Sequence, residues 1–413
     1  MTSSGLAEEM RAMGLAARRA AHGLALAPAE QRSAAIRAMT ARLRESEAAI
    51  LSANKADMAE AAEHLDRLLL DPARIEAIAF SLEQIAELPD PVGTEMARWQ
   101  RPNGLDIARV RTPIGVIGMI YEARPNVTAD AAAICLRSGN AVILRSGSDA
   151  QRSALAIHAA LVKGLEDAAL DPDAVQIVAT TDREAVGLLL AGLDGAIDLI
   201  IPRGGRALVE RVGQEARVPV LGHLEGICHS YVHAAADPAM AVDIVRNAKL
   251  RRVSVCGATE TLLIDRQAAP KLLPSIAEAL SDCELRGDEG ARAVVPMKAA
   301  TAEDWDTEYL APIIAIRLVD GIDEAIDHIA RHGTGHTDAI ITDDVEAAEE
   351  FLSRVDSAIA IWNASTQFAD GGEFGYGAEI GIATGKLHAR GPVGPEQLTS
   401  FKYKIRGSGQ TRP

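Results

Sequence analysis

Short apolar segments alternate with amphipathic helical segments over most of the chain, and this alternation limits the possible folds more than any other feature. A first series of predicted strands comprises residues 115–121, 141–144, 175–178, 197–201 and 218–221. A second series begins near Asp237 and comprises residues 259–264, 313–318, 339–342 and 358–362. Strands separated by helices are typical of βαβ units. The sequence therefore predicts an α/β protein with two doubly wound parallel sheets.

The two ends of the chain have a different pattern. Residues 1 to about 90 repeat alanine, leucine and methionine at three- and four-residue spacing, which predicts helices, and Asp71-Pro72 is a typical start for one of them. Residues 104–116 alternate apolar and polar side chains and predict a hairpin. Residues 398–405 predict a further strand near the C-terminus. We expect these segments to form an arm or edge outside the main sheets.

The composition fits two packed domains and excludes several classes of protein. The 413 residues are 48% hydrophobic but only 3% aromatic, so we expect aliphatic cores between helices and sheets. A net charge of −16 would repel a nucleic-acid backbone. The apolar runs are far shorter than the roughly 20 residues that cross a bilayer, and the N-terminus has no secretory signal. We therefore expect a cytoplasmic protein with neither nucleic acid nor membrane as a partner.

The four cysteines are widely spaced and include no CxxC pair, which indicates a reducing compartment without disulfides or structural zinc. Cys256, in Val253-Ser-Val-Cys256-Gly-Ala-Thr-Glu, lies just before a predicted strand at the boundary of the two predicted domains. A cysteine there could act as a nucleophile. A buried structural cysteine is the alternative.

The ends of two predicted strands are candidate sites for an anion. The chain has no GxGxxG fingerprint and no P-loop, so a nucleotide would need another glycine loop. Arg203-Gly204-Gly205 lies where a strand ends and a helix begins, and backbone N–H groups can bind an anion there, although a simple tight turn is the alternative. Asn126 also lies between a strand and a helix, where its amide could donate to an oxyanion or could cap the helix.

Two histidines and a basic cluster are candidate ligand sites. His229 and His233 are four residues apart on one predicted strand without a third ligand in view, so we expect no metal site. Lys386, His388 and Arg390 are candidates for binding the phosphate or carboxylate of an anionic substrate. The alternative for this cluster is a basic, solvated strand edge at a subunit contact.

Specific motifs occur along nearly the whole chain: Tyr121-Glu-Ala-Arg-Pro-Asn-Val-Thr, Arg137-Ser-Gly-Asn-Ala-Val-Ile-Leu-Arg145, Asp198-Leu-Ile-Ile-Pro-Arg-Gly-Gly205, Val218-Pro-Val-Leu-Gly-His223, Asn247-Ala-Lys, Glu260-Thr-Leu-Leu, His336-Thr-Asp-Ala-Ile-Ile-Thr342 and Gly377-Ala-Glu-Ile-Gly-Ile-Ala-Thr-Gly-Lys-Leu-His-Ala-Arg-Gly-Pro392. Together with Cys256, these motifs resemble those of the gamma-glutamyl phosphate reductases, a branch of the aldehyde dehydrogenase superfamily. Near the thiol the chain has Arg251-Arg252-Val253-Ser254 where the family usually has Gln-Arg-Pro-Ser. The resemblance favours the nucleophile interpretation of Cys256.

The resemblance implies an aldehyde-dehydrogenase-like fold with two parallel-sheet domains and a small β oligomerisation element. We expect residues 1–100 and 113–236 to form the NADP-binding, Rossmann-like domain, and residues 237–370 to form the catalytic domain. Residues 101–112 and 390–413 are expected in the oligomerisation element, and residues 371–389 are expected to cover the site. The implied partners are further copies of the chain and, transiently, glutamate 5-kinase.

The resemblance also implies an activity, the NADPH-dependent reduction of L-glutamate 5-phosphate to L-glutamate 5-semialdehyde, which is the second step of proline biosynthesis. Cys256 would form a thioester with loss of phosphate, and Asn126 with the Cys256 N–H would stabilise the oxyanion. His223 stands where ordinary aldehyde dehydrogenases have the glutamate that activates water, which favours a reductase, although Glu225 lies close by. The alternatives are another phosphate- or CoA-dependent acylating aldehyde dehydrogenase and a non-catalytic nucleotide-binding scaffold.

Ligand-binding residues follow from the same resemblance. Glu308 would bind the nicotinamide ribose. The loop Arg145-Ser146-Gly147-Ser148 would lie under the adenine ribose, where serine in place of a glutamate favours NADPH over NADH. Further candidates are Arg203, Gly204 and Gly205 for the cofactor and Arg124 for the substrate.

Overall fold

The computed structural model describes residues 3–61 and 65–412 of the chain. The chain divides into two compact units: unit 1 comprises Met1–Gly222, Gly375–Gly381 and Val393–Pro413, and unit 2 comprises His223–Phe374 and Ile382–Pro392. The boundary after Gly222 differs from the predicted boundary after residue 236. The reason is that the strand Cys228–Val232 pairs with strands of unit 2 on both sides.

The N-terminal part of unit 1 is helical, as the spacing of its apolar residues predicts. Its helices are α1 Ser3–Leu26, α2 Ala29–Glu45, α3 Glu47–Glu60, α4 Leu65–Leu68 and α5 Pro72–Glu87. The predicted start of α5 is confirmed, because the Asp71 side chain accepts the N–H of Arg74 at 2.7 Å and Pro72 occupies the first turn.

A hairpin and a parallel sheet follow these helices. The strands are β1 Glu95–Gln100, β2 Asp106–Pro113, β3 Val116–Tyr121, β4 Ala141–Ser146, β5 Val175–Ile177 and β6 Leu199–Arg203. The helices between and after them are α6 Val127–Arg137, α7 Gln151–Asp167, α8 Arg183–Leu190 and α9 Arg206–Glu215. The sheet order is β5-β4-β3-β6, all parallel, and every residue of β3 and β4 is buried, as in a sheet covered on both faces.

Two predicted strand segments differ from the structure. Residues 218–221 form only an isolated bridge between Val220 and Ile200. This segment runs beside β6 over too few residues to form a continuous ladder of backbone hydrogen bonds. The predicted hairpin exists, but its first strand is β1, and Gly104 lies in the turn with φ of +84°. The sequence pattern does not predict β1, because the side chains of this strand are largely exposed and do not alternate between apolar and polar.

Unit 2 is built on a seven-stranded parallel sheet in the order β10-β9-β11-β8-β7-β12-β13. Its strands are β7 Cys228–Val232, β8 Thr259–Asp265, β9 Glu284–Gly287, β10 Lys298–Ala299, β11 Ile313–Val319, β12 Thr337–Ile341 and β13 Ile359–Trp362. The connecting helices are α10 Pro238–Leu250, α11 Ala269–Ala279, α12 Glu289–Val294, α13 Ile322–His332 and α14 Val345–Arg354. All four strands predicted in the second series are therefore present, and the fold class is confirmed.

The C-terminal segment contributes to both units. Strands β14 Ile382–Ala383 and β15 Gly391–Pro392 form an antiparallel hairpin in unit 2. Strand β16 Thr399–Arg406 pairs with β2 in unit 1 and completes the small antiparallel sheet β1-β2-β16. None of the described helices has both the length and the apolar character needed to cross a membrane.

Candidate active site

Cys256 lies in a short loop between α10 and β8 of unit 2. The loop contains a turn in which the N–H of Ala258 donates to the carbonyl of Val255 at 3.0 Å. The Cys256 side chain is partly exposed. A substrate can therefore reach the thiol, which is not the case for a structural cysteine in a core.

The cysteine loop is positioned from two sides. The Gln367 amide donates to the carbonyls of Asn247 and Ala248 at the end of α10, at 3.2 and 2.9 Å. On the other side, Gly226 packs on the backbone of Cys256 so closely that a β-carbon there would lie 2.8 Å from the Cys256 Cα. Only glycine fits at residue 226 without movement of the loop.

Two histidine side chains converge on the thiol. A nitrogen of His223, a nitrogen of His336 and the Cys256 Sγ all lie within 4.8 Å of one another. His223 Nδ1 lies 2.6 Å from the carbonyl oxygen of Ile382 in β14, and because a carbonyl only accepts, Nδ1 carries the hydrogen. His336 is buried directly before β12, with Nδ1 2.9 Å from the hydroxyl of Thr337. Both rings are therefore fixed by hydrogen bonds, with centroids 4.9 Å apart.

The histidines change the acidity of the thiol. Burial by itself would raise the pKa of Cys256, because a thiolate loses solvation. The charge of His336 and the hydrogen bonds from both histidines outweigh burial and place the pKa well below its usual value of 9.0. Since the thiolate is the nucleophilic form, the two histidines make Cys256 a stronger nucleophile than an ordinary thiol.

Acidic side chains connect the segments around this loop. Glu308 accepts the N–H of Gly226 at 3.0 Å, and burial raises the Glu308 pKa. Glu260 of β8 forms a fully buried ion pair with Lys249 of α10 and accepts the N–H of Leu310 at 3.3 Å. The segment that contains Glu308 is thus bonded both to the Gly226 segment and to β8.

Metal chemistry does not suit the cluster as well as covalent chemistry. A thiolate and two imidazoles are donors that zinc accepts, but a metal ion on Sγ would use the electron pair that attacks a carbonyl. His229 and His233, the histidine pair considered from the sequence, do not point at a common atom. His229 Nδ1 bonds to Asp338 at 2.9 Å, whereas His233 Nδ1 bonds to Thr342 at 2.8 Å. The expected absence of a metal stays a prediction.

Asn126 lies in unit 1, immediately before α6. Its side-chain amide does not cap the helix but donates to the carboxylate of Asp130 at 3.0 Å. Burial raises the pKa of Asp130 to about 6. The bond uses one of the two amide hydrogens of Asn126. Arg124, in the same segment, is half-buried.

The predicted adenine-ribose loop follows β4. Arg145 is buried, and its guanidinium donates to the carbonyls of Ser146 and Thr181, so this arginine is committed to the backbone. Within the described ranges, the buried Ser146 hydroxyl has no hydrogen-bond partner. Ser148 is exposed at the start of a 3-10 turn whose cap position belongs to Gly147. The loop therefore presents hydroxyl groups but not the Arg145 charge.

The Arg203-Gly204-Gly205 turn connects β6 to α9, as predicted. The Gly205 N–H donates to the Glu122 carboxylate at 3.1 Å, and Arg203 pairs with Glu379 at 3.5 Å. The turn thus attracts anions, but carboxylates of unit 1 itself already contact its donors.

Lys386, His388 and Arg390 lie in the loop of the β14–β15 hairpin. Lys386 and Arg390 both pair with Asp356, and Arg390 does so at 2.9 Å. These hydrogen bonds lower the pKa of Asp356. His388 is held in a left-handed conformation with φ of +73°. The loop is an ordered ion-pair cluster rather than three independent cations.

His336 is a candidate functional side chain that the sequence pattern does not single out. It opens the motif His336-Thr-Asp-Ala-Ile-Ile-Thr342, and only the pairing of β12 with β7 brings it to the cysteine. A histidine directly before a buried strand of the catalytic sheet was the available signal. The sequence pattern gives no signal for Gln367 or for the Lys249–Glu260 pair either.

The chain combines a parallel α/β fold with an accessible cysteine in the loop before β8, and the aldehyde dehydrogenase family matches residues 2–304, so the chain is an aldehyde dehydrogenase family member. Members of this family use a nicotinamide cofactor. The gamma-glutamyl phosphate reductase of Caulobacter vibrioides is 65% identical over 98% of this chain and all 100% of its own length. The chain belongs to the gamma-glutamyl phosphate reductases of this family.

Comparison with solved structures agrees with the assignment of the chain to this family. The crystal structure of the gamma-glutamyl phosphate reductase from Thermotoga maritima is similar with a TM-score of 0.95 and 42% identity, covering 98% of this chain and 100% of that one. An acetylating aldehyde dehydrogenase from Geobacillus thermoglucosidasius has a TM-score of 0.70 at 16% identity, covering 99% of this chain and 98% of that one. The second likeness concerns the fold alone.

Proposed function

We propose that the protein reduces L-glutamate 5-phosphate to L-glutamate 5-semialdehyde and phosphate with NADPH, in the cytoplasm, as the second step of proline biosynthesis. The observation that carries the proposal is the Cys256 thiolate beside His223 and His336 in a chain of this family. An acyl phosphate is already activated, so a thiolate can expel phosphate from it directly.

Cys256 forms the covalent intermediate. Its Sγ attacks the acyl carbon, the bond from that carbon to the phosphate oxygen breaks, and the acyl group stays on Sγ as a thioester. NADPH, when bound, supplies the hydride that reduces the thioester. The carbon–sulfur bond then breaks, the aldehyde leaves, and the thiolate is stabilised again by His336 and His223.

His223 suits a reductase better than a hydrolase. Ordinary aldehyde dehydrogenases need a glutamate base at this position to activate water. The His223 ring is fixed through Nδ1 to the Ile382 carbonyl and contacts the thiolate, so it stabilises Cys256 instead of binding a hydrolytic water. A long-lived thioester is what hydride reduction requires.

Oxyanion stabilisation is assigned to Asn126 and to the backbone N–H of Cys256. The second amide hydrogen of Asn126 supports this role, because the first is donated to Asp130. The bond to Asp130 also fixes the orientation of the amide, so that little reorganisation is needed when charge develops.

The residues of the β4 loop fit a bound cofactor. A buried Ser146 hydroxyl with no partner in the part of the chain described, next to an exposed Ser148 hydroxyl, supports a ligand at this loop. Ser148 would donate to the 2′-phosphate of NADPH, and Arg145 and the Arg203-Gly204-Gly205 turn of the same unit are further proposed cofactor residues, with Arg145 acting through the loop backbone that it binds. Glu308 would bind the nicotinamide ribose through the oxygen that does not accept from Gly226.

The hairpin loop of unit 2 would bind the anionic end of the substrate. Lys386 and Arg390 share the single carboxylate of Asp356, so the loop keeps a positive charge. His388 and, in unit 1, Arg124 are further candidates for substrate binding.

A homo-oligomer is proposed through the small sheet of unit 1. Trp99, Phe401 and Tyr403 are exposed on it by 39%, 45% and 53%, and Tyr403 contacts both other rings edge to face. Exposed aromatic clusters are typical of interfaces. A transient contact with glutamate 5-kinase would shield the labile acyl phosphate from water.

The reverse reaction tests the proposed function. Glutamate 5-semialdehyde and NADP should yield NADPH in the presence of phosphate, and CoA should not replace phosphate. Turnover that depends on CoA would favour the alternative, another acylating aldehyde dehydrogenase. No turnover with either acceptor would contradict both.

A further inference from the structure

Cys228 is a second thiol beside the cysteine loop. It is the first residue of β7, it is buried, and its Sγ–H donates to the backbone carbonyl of Cys256 at 3.1 Å. Disulfides form between cysteines whose α-carbons lie about 4.4–6.8 Å apart, so a bond requires two cysteines that are direct neighbours in space, and a thiol in contact with the backbone of another cysteine makes them such neighbours. The fold therefore already brings two free cysteines into direct contact.

His336 contacts both cysteines. Its Nδ1 lies 3.5 Å from the Cys228 Sγ, and a nitrogen of the same ring belongs to the cluster within 4.8 Å that includes the Cys256 Sγ. Once this imidazole has given up its proton, it can accept the proton of Cys228 next to the sulfur of Cys256.

The two thiols differ in accessibility and acidity. Cys256 is partly exposed and favours the thiolate, which is the form that peroxides oxidise. Cys228 is buried, and burial together with the charge of Asp338 raises its pKa well above the usual value. An accessible thiolate beside a shielded thiol is the arrangement of a sensor cysteine and its resolving cysteine.

We propose that Cys228 is the resolving thiol for a reversible oxidation of Cys256. Hydrogen peroxide first transfers a hydroxyl group to the Cys256 thiolate, which becomes a sulfenic acid, and its other oxygen leaves as hydroxide, takes the proton of His336 and becomes water. The Cys228 Sγ then attacks that sulfur, its proton passes through His336 to the departing oxygen, and a second water leaves as the S–S bond forms. The two cysteines together lose two electrons to the peroxide. A dithiol reductant restores both thiols.

Two consequences follow for the enzyme. The disulfide removes the nucleophile and stops turnover, and it also prevents further oxidation of Cys256 to the irreversible sulfinic acid. The inference rests on the reactive thiolate of the proposed function, but it does not depend on which acyl phosphate is the substrate.

Peroxide treatment of the full-length enzyme, followed by mass mapping of unreduced peptides, tests the proposal. We expect a peptide pair joined through Cys228 and Cys256, a loss of activity of at least about tenfold, and near-complete recovery with dithiothreitol. Cys228→Ser should give no joined peptide pair. The fraction of its untreated activity that dithiothreitol restores should be at least about fivefold smaller than the fraction restored in the wild type, because Cys256 proceeds to the sulfinic acid. Cys283→Ser, which removes a partly exposed cysteine elsewhere in unit 2, is the control and should behave like the wild type.

Oxidised wild-type enzyme that carries oxygen on Cys256 without a bond to Cys228 would overturn the proposal. Equal recovery of wild type and Cys228→Ser would do so too. The wild-type peptide map decides the question even if Cys228→Ser and a second variant, Cys228→Ala, fail to fold. Alkylation of the untreated enzyme by iodoacetamide separates the two proposals: an inert Cys256 contradicts the proposed function, whereas a reactive Cys256 that forms no disulfide contradicts the oxidation alone.

Discussion

Glu308 accepts the backbone N–H of Gly226 at 3.0 Å, and Gly226 in turn packs on the backbone of Cys256. Two segments that are distant in sequence therefore determine where the cysteine loop lies. The same carboxylate is the proposed ligand of the nicotinamide ribose. In the proposed function, the cofactor and the nucleophile would thus share Glu308 as one anchor.

Gly226→Ala should displace the cysteine loop. A methyl group there would overlap the carbonyl of Cys256, so we expect kcat to fall at least about tenfold and the free energy of unfolding to fall by about 1–3 kcal/mol. Gly213→Ala, in α9 with open space around the added carbon, is the matched control and should be neutral or stabilising by up to about 1 kcal/mol. Steady-state kinetics and urea unfolding of both variants measure these effects; wild-type kcat in Gly226→Ala would contradict the packing argument.

His336→Ala should raise the pKa of the Cys256 thiol. The wild-type thiol has a pKa well below 9.0 because the two histidines stabilise the thiolate. Removal of His336 should shift the pH midpoint of alkylation by iodoacetamide upward and slow the reaction at pH 7 at least about tenfold, since each pKa unit above the working pH costs a tenfold loss of thiolate. His22→Ala, an exposed histidine of α1, is the control. If the pH midpoint of alkylation is the same in His336→Ala as in the wild type, groups other than His336 stabilise the thiolate.

The sequence pattern predicts the sheets better than it predicts the site. Strands such as β8 and β12 are buried on both faces, so their apolar runs are visible in the sequence. The exposed strand β1 and the bridge at Val220 lack such a signal. The convergence of His336 on Cys256 depends on strand order, which periodicity does not encode.

Pairing partners are equally invisible in the sequence. Basic residues at 386, 388 and 390 suggest free cations, but Asp356 comes from a different segment and binds two of them. Likewise, the sequence suggests that Arg145 binds a phosphate, but in the structure its guanidinium donates to the carbonyls of Ser146 and Thr181. Local residue type predicts the chemistry available, and tertiary contacts decide what is already used.

His328 should lower the free energy of unfolding as the pH falls into the mildly acidic range. It is buried in α13 against Trp305, and burial, with the nearby His229 and His332, lowers its pKa to about 2. The unfolded chain takes up a proton near pH 6.5, whereas the folded state does not, so stability is lost as pH falls below about 6.5. His328→Phe should reduce the pH slope of the unfolding free energy between pH 6.5 and 5 by up to about 1.4 kcal/mol per pH unit. Equal slopes in urea unfolding of both proteins would show that His328 does not contribute.

Ser148→Glu should weaken NADPH binding more than NADH binding. If the exposed Ser148 hydroxyl donates to the 2′-phosphate, a carboxylate in its place repels that phosphate and can accept from the ribose hydroxyls of NADH instead. We expect the ratio of kcat/KM for the two cofactors to move toward NADH by at least about tenfold. A similar loss with both cofactors, or a wild-type enzyme that uses them equally, would place the 2′-phosphate elsewhere.

The central claim is that Cys256 holds the acyl group as a thioester that only phosphate releases. Rapid mixing of the enzyme with glutamate 5-semialdehyde and NADP, without phosphate, should give a burst of about one NADPH per active site and then stop, because the thioester has no acceptor. Addition of phosphate should start steady turnover, and Cys256→Ala should show neither phase. Steady NADPH formation without phosphate, or a burst that survives in Cys256→Ala, would contradict the account.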